Sequence, residues 1–319
     1  RKAAEQGAVL LKNEDGILPL SHTQRLAVVG SMAKSIRYQG AGSSHINPKY
    51  LSQPLDYIKD AEFAMGCDEH GDTDDAMIDK AVKVAEKADA VIVFAGLPDR
   101  FESEGFDRDN MKLPQGHIRM IEEVARANKN TVVVLLTGCV VECDWADSVK
   151  AILYMGLPGQ AGGQAIANLL YGESNPCGKL AETWWSSYED VPSSKIYGKT
   201  KDAVYEEGIY IGYRYCEKAG KRVRFPFGYG LSYTSFSYSG LEVKDNVVNV
   251  KVTNTGNMTG AEIVQMYVAA PMEGIHRPLR ELKGFKKVLL KPGESADVSF
   301  ELNERSFAIW NDGWKIQLS

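Results

Sequence analysis

Ala90-Val91-Ile92-Val93-Phe94-Ala95-Gly96 is a short, continuous, β-branched apolar run, and it reads as a strand covered on both faces in a parallel sheet. It leads into Phe101-Glu102-Ser103-Glu104-Gly105-Phe106-Asp107-Arg108, after which Ile118, Ile121, Val124 and Ala125 recur at helical spacing. The acidic segment therefore lies between the carboxyl end of a strand and the next helix, where open α/β sheets bind ligands. Glu102, Glu104, Asp107 and Arg108 could hold a catalytic acid; a solvated charged loop is the commoner use of such residues.

Outward from this run, Leu26 to Gly30, Thr131 to Gly138 and Ala151 to Gly156 are further buried strands. Helical spacing over Asp74 to Lys87, with Asp74 or Thr73 as its cap, separates two of them. Strand alternates with helix, which predicts a doubly wound or layered α/β domain over residues 1–185. Lys2 to Lys12 reads as a short helix with a small-residue face. Tyr38-Gln39-Gly40-Ala41-Gly42-Ser43-Ser44-His45 is either a plain turn or a loop whose backbone and hydroxyls meet a ligand. Gly156, Gly159, Gly162 and Gly163 match neither phosphate-binding fingerprint, and close helix-to-strand packing explains them.

Residues 186–235 are expected to connect two domains. Ser, Pro, Tyr and Lys dominate at first, then aromatics alternate with glycines in 205–215 and 225–234, as in bent extended chain. Residues 236–319 change to period-two patterns at Val247 to Gly256, Ile263 to Val268 and Ala296 to Leu302, and turns fall at Asn254 to Asn257 and Lys291 to Glu294. That is the signature of a small β-sandwich, with one more strand expected from Trp314 to Ser319.

A chain of 319 residues with a formal charge of −5 has enough apolar content for two cored domains. It carries no basic patch for nucleic acid and no apolar run long enough for a membrane helix. It opens on Arg1, so the start is expected to be internal or processed, and the compartment is not legible. Cys67, Cys139, Cys143, Cys177 and Cys216 are scattered and odd in number, as core thiols would be rather than a disulfide framework or a zinc site.

Several stretches in fixed order resemble family-3 glycoside hydrolases. They are Gly7 to Asn13 with Leu18-Pro19-Leu20, Gly40 to Ser44, Glu104-Gly105-Phe106-Asp107-Arg108, and Gly159-Gln160-Ala161-Gly162-Gly163. Ala165 to Leu169 with Tyr171-Gly172, Asn175 to Leu180, Tyr213-Arg214-Tyr215 and Phe225 to Thr234 extend the resemblance over nearly the whole chain. It implies an (α/β)6 sandwich followed by a fibronectin type III-like domain, the later part of an enzyme that usually begins with a (β/α)8 barrel. It also implies a retaining β-glycosidase, most commonly a β-glucosidase, whose nucleophile is an aspartate on the barrel. Glu104 maps onto the general acid/base, with Glu102 second, and an acid in that place is expected to have a raised pKa in the intact enzyme. By the same resemblance Ser43, or Ser44 if the register slips by one, would donate a hydrogen bond to the sugar. Arg108 stands with Ser43 and Ser44 as a substrate-binding candidate; it would otherwise orient Asp107 or anchor the loop, and anchoring is favoured. A β-glucoside or oligosaccharide substrate is implied, and a barrel domain from the same enzyme or a separate chain, with no metal or organic cofactor. A homo-oligomer is compatible with this, and secretion or a periplasmic site is common among relatives. Alternatives are a noncatalytic carbohydrate-binding or scaffold protein, a β-xylosidase and an N-acetylglucosaminidase.

Overall fold

The buried runs form one sheet. The computed structural model describes residues 1–199, 201–270, 276–310 and the backbone of 314–315. It divides into two units: Arg1–Lys179, Trp184–Tyr188 and Tyr229–Tyr233 in the first, and Leu180–Thr183, Glu189–Gly228 and Thr234–Ser319 in the second. Residues 186–235, expected as a connector, are thus shared between them.

In the first unit the strands are β1 (Val9–Asn13), β2 (Leu26–Val29), β3 (Glu62–Ala64), β4 (Ala90–Gly96), β5 (Thr131–Leu136) and β6 (Ala151–Tyr154). Their order is β1-β6-β5-β4-β2-β3, all pairings being parallel except β1 with β6. Every residue of β4 and β5 is buried, because layers cover both faces, and this is why their sequences do not alternate. Ile92, Phe94, Val132, Val134 and Leu153 form one core with Ile166 and Leu169. Burial of each such side chain contributes about 1.5–3 kcal/mol.

The helix expected over Lys2 to Lys12 stops early. Helix α1 covers Lys2–Gly7, Ala8 is extended, and Val9, Leu10 and Leu11 are buried one after another. Three consecutive buried residues need cover on opposite sides, which a strand in a layered sheet receives and a surface helix does not. The Leu231 N–H donates to Leu10 O (2.8 Å), so part of the outer edge of β1 is occupied.

Helix α2 (Asp75–Ala85) begins where Asp74 accepts the Met77 N–H at 2.7 Å, which selects Asp74 over Thr73 as cap. Helices α3 (Gln115–Ala127) and α4 (Gly162–Leu170) follow β4 and β6. Close packing does account for Gly163, but the neighbour is a loop rather than a strand: a Cβ there would lie 2.4 Å from the Gln53 carbonyl carbon. After β2 the chain adds β3 on one side and then returns to place β4 on the other, so the loops after β2 and β4 diverge at the sheet's switch point.

In the second unit, β7 (Phe236–Lys244), β8 (Val247–Asn254) and β11 (Ser295–Glu301) form one antiparallel sheet, while β9 (Gly260–Val268) pairs with β10 (Glu281–Leu290). Val248, Val250, Val252, Val264, Leu290, Val298 and Phe300 fill the core between them. Bent extended chain was expected through Tyr215, yet Tyr213–Ala219 is helix α5. Gly212 (φ 58°) turns the chain into it and left-handed Gly220 ends it, a pairing of stop signals that the aromatic pattern conceals. Tyr213 stacks on Phe227 with centroids 4.8 Å apart. Of the strand expected from Trp314 to Ser319, Trp314–Lys315 pairs with Ile309–Trp310, and residues 316–319 lie outside the described residues. Among the described residues no helix is long and apolar enough to cross a membrane. All five cysteines are free thiols.

Candidate active site

The two diverging loops meet again above the sheet. Gly42–Ser44 forms a single 3-10 turn, and it presents the Ser43 backbone N–H to Glu104 Oε2 at 2.9 Å. The Ser43 hydroxyl donates to the same oxygen. Gly42, at φ +84°, allows this approach: a Cβ there would sit 2.9 Å from Glu104 Cβ. The Glu104 carboxyl is open to solvent, and the Ser43 hydroxyl and then its N–H hold its pKa below the usual glutamate value. Both donors favour the charged form and outweigh the opposing effect of burial, whereas the raised pKa is an expectation for the intact enzyme. Ser44 turns back on its own loop and donates to Ala41 O at 3.3 Å.

Glu102 is differently placed. Its carboxylate accepts from the Gly138 N–H (3.0 Å) and the Cys139 thiol (2.9 Å), and Arg37 Nη2 lies 3.8 Å away. Its side chain is 18% exposed and its oxygens are engaged by protein groups, so it braces the loop. Arg37 closes this brace: its side chain is buried, pairs with Asp99 and donates to Glu102 O at 3.0 Å. Burial lowers the Arg37 pKa and Glu102 opposes that. His45 Nε2 stands 3.6 Å from the far oxygen of Asp99.

Beyond the turn, Arg108 Nη1 donates to Val140 O (3.0 Å) and to Cys139 Sγ (2.9 Å). It is an anchor to the chain after β5, as favoured from sequence, and these bonds do not involve Asp107. Burial, reinforced by Glu102, pushes the Cys139 thiol up to about 12, so it stays protonated between the carboxylate and the guanidinium. The loop carrying Glu104 is thus pinned by Arg37 before it and Arg108 after it. Sequence reading passed over Arg37, Asp99 and the roles of Gly138 and Cys139, and it took Cys139 for a core thiol although that residue is only half-buried and bonded to Glu102 and Arg108. A usable signal existed for Gly138 and Cys139, since they follow the carboxyl end of a buried strand, and for Arg37, which precedes the glycine and serine loop. Among the described residues no group of three or more His, Cys, Asp or Glu is arranged to hold a metal ion. Chemically the arrangement offers, in Glu104, a solvent-facing carboxylate held by Ser43 on a braced loop, able to take or give a proton.

Residues 8–213 match the model of the glycosyl hydrolase family 3 C-terminal domain. The chain belongs to glycosyl hydrolase family 3. Residues 262–317 match the fibronectin type III-like domain, in agreement with the antiparallel strands of that part of the chain. Thermostable beta-glucosidase B of Acetivibrio thermocellus is 46% identical, over 98% of this chain and 43% of that protein. An exo-alpha-(1->6)-L-arabinopyranosidase of Bifidobacterium breve is 43% identical, over 98% of this chain and 44% of that protein. The crystal structure of the Bifidobacterium adolescentis GH3 beta-glucosidase superposes with a TM-score of 0.95 at 42% identity, covering 99% of this chain and 49% of that one. This family 3 chain therefore spans less than half the length of the curated relatives it matches. Its fold is the family's C-terminal α/β sandwich followed by the fibronectin type III-like domain.

Proposed function

We propose that this chain acts as the C-terminal part of a retaining β-glycosidase, foremost a β-glucosidase, with Glu104 as general acid/base. The observation that carries the reading is the contrast between two neighbouring carboxylates. Glu104 faces solvent at the switch point of the sheet, whereas Glu102 is engaged by Gly138, Cys139 and Arg37. A retaining mechanism needs a second carboxyl group about 5 Å away to attack the anomeric carbon. In this reading an aspartate of a (β/α)8 barrel domain, from the same enzyme or a separate chain, supplies it.

The two half-reactions ask opposite things of Glu104. As acid it must hold a proton for the departing alcohol, and as base it must take one from water. The Ser43 donors favour the base. Approach of the anionic nucleophile and exclusion of water would raise the pKa and favour the acid. Ser43 links the two, since its hydroxyl is the donor that a sugar hydroxyl would compete for. Arabinopyranoside cleavage is a second reading, favoured by the 43% identical Bifidobacterium relative.

The test joins this chain to the barrel domain of a family relative and follows hydrolysis of an aryl β-glucoside. Glu104→Ala should slow deglycosylation by roughly 10²–10⁴-fold, and azide should restore part of it by replacing the base-activated water. Glu102→Ala should lose activity together with stability, and azide should not help. Unchanged turnover in Glu104→Ala, or azide rescue of Glu102→Ala instead, would remove the assignment. Saccharide binding without turnover beside every barrel tried would favour a noncatalytic role.

A further inference from the structure

We infer that the second unit carries a separate binding site for the carboxylate of an acidic sugar. The ladder of β9 and β10 bulges at Lys283, opposite Met266 and Tyr267, and the Lys283 ammonium lies 3.4 Å from Glu281 at the start of β10. Helix α5 brings Arg214 to the same place, and Arg277 lies in the chain leading into β10. These side chains, with Arg305 and Trp310, line an open cavity of about 530 Å³, a size suited to a small ligand.

The charges there are unbalanced. Glu281 is approached by Lys283 at 3.4 Å, Arg214 at 3.6 Å and Arg277 at 3.9 Å, so three cations share one carboxylate. Of the described residues lining the cavity, Glu281 is the anionic one, and Arg214, Arg277 and Lys283 all approach it, in a chain whose formal charge is −5. The Arg277 side chain is 3% exposed; it donates to Phe307 O at 3.2 Å, but its Nη1 has no hydrogen-bond partner among the described residues, and neither has Arg214 Nε. A buried guanidinium with an unanswered N–H is costly, and a second oxyanion in the cavity would answer it. Two planar guanidinium forks suit a planar carboxylate, and the exposed indole of Trp310 offers a flat surface for the apolar face of a sugar ring. The site is independent of Glu104 and does not require the proposed hydrolase activity.

The test is isothermal titration of residues 1–319 with D-glucuronate, with neutral D-glucose and inorganic phosphate as comparisons. Glucuronate should bind saturably and more weakly as salt rises, while glucose should not bind. Arg277→Met is a direct test but removes a buried side chain, so Lys283→Met and Arg214→Met carry the result; each should weaken binding about tenfold. Glu281→Gln should strengthen it, because the competing carboxylate is removed, which a purely structural role would not produce. The proposal is overturned if glucuronate does not bind, if glucose binds as well, if phosphate binds and glucuronate does not, or if Lys283→Met and Arg214→Met leave affinity unchanged.

Discussion

Gly42→Ala should disable the candidate site, and its effect can be worked from the geometry. At φ +84° an alanine pays roughly 1–2 kcal/mol in backbone strain, of which about 0.4–1 kcal/mol is offset by the stiffer unfolded chain. The added Cβ would lie 2.9 Å from Glu104 Cβ and 3.2 Å from its Oε2, against an ordinary carbon contact of about 3.5–4.0 Å. Glu104 must therefore retreat by at least ~0.6 Å, enough to stretch the 2.9 Å bond from the Ser43 N–H out of its useful range. The net loss of stability should be about 1 kcal/mol. Loss of the Ser43 donors should also bring the Glu104 pKa back up toward its ordinary value. Gly105→Ala is the control, for nothing lies within 4 Å of a Cβ there and its φ is not left-handed, so it should be neutral or slightly stabilising. Urea unfolding and carboxyl-carbon NMR titration of both variants measure the two effects. Equal stabilities with an unmoved Glu104 titration in Gly42→Ala would refute the reasoning.

Ser43→Ala should raise the Glu104 pKa without backbone strain, read by the same titration. Because the folded pKa lies below the unfolded one, the stability from this pair is present above the ordinary glutamate pKa of about 4.3 and lost as pH falls through the folded value. Ser43→Ala should flatten that acid limb in urea unfolding, and an unchanged limb would exclude the contact. Arg37→Met leaves Glu102 O and Asp99 without their donor; since Asp99 is half in water, the expected cost is about 1–2 kcal/mol. Hydrogen exchange should rise across 99–108 while helix α2 keeps its protection, and a uniform rise would deny that Arg37 pins this loop in particular.

The parallel strands β2, β4, β5 and β6 were legible because each is covered on both faces, which leaves a continuous apolar run, whereas the three-residue β3, with Glu62 exposed, was not read. β1 was not, because Ala3, Ala4, Gly7, Ala8, Leu10 and Leu11 also satisfy helical spacing; only pairing with β6 decides the matter. Helix α5 was hidden for a similar reason, its tyrosines being as fit for a strand as for a helix that packs on Phe227. Glu104 and Ser43 were singled out through a family resemblance, and their meeting, like the bracing of Glu102, appears only in the tertiary structure.

Local pattern in the chain by itself determined which segments are buried, where the α/β part gives way to strands of period two, and that an acidic loop follows a buried strand. Pattern carries that information because burial and backbone period are properties of neighbouring residues. Only the tertiary structure decided which carboxylate is left facing water. Ser43 and Glu104 are 61 residues apart and Arg37 and Glu102 are 65 apart, so their meeting depends on β4 returning to the side of β2 opposite β3. Strand order is settled by the packing of whole layers, and no local spacing encodes it.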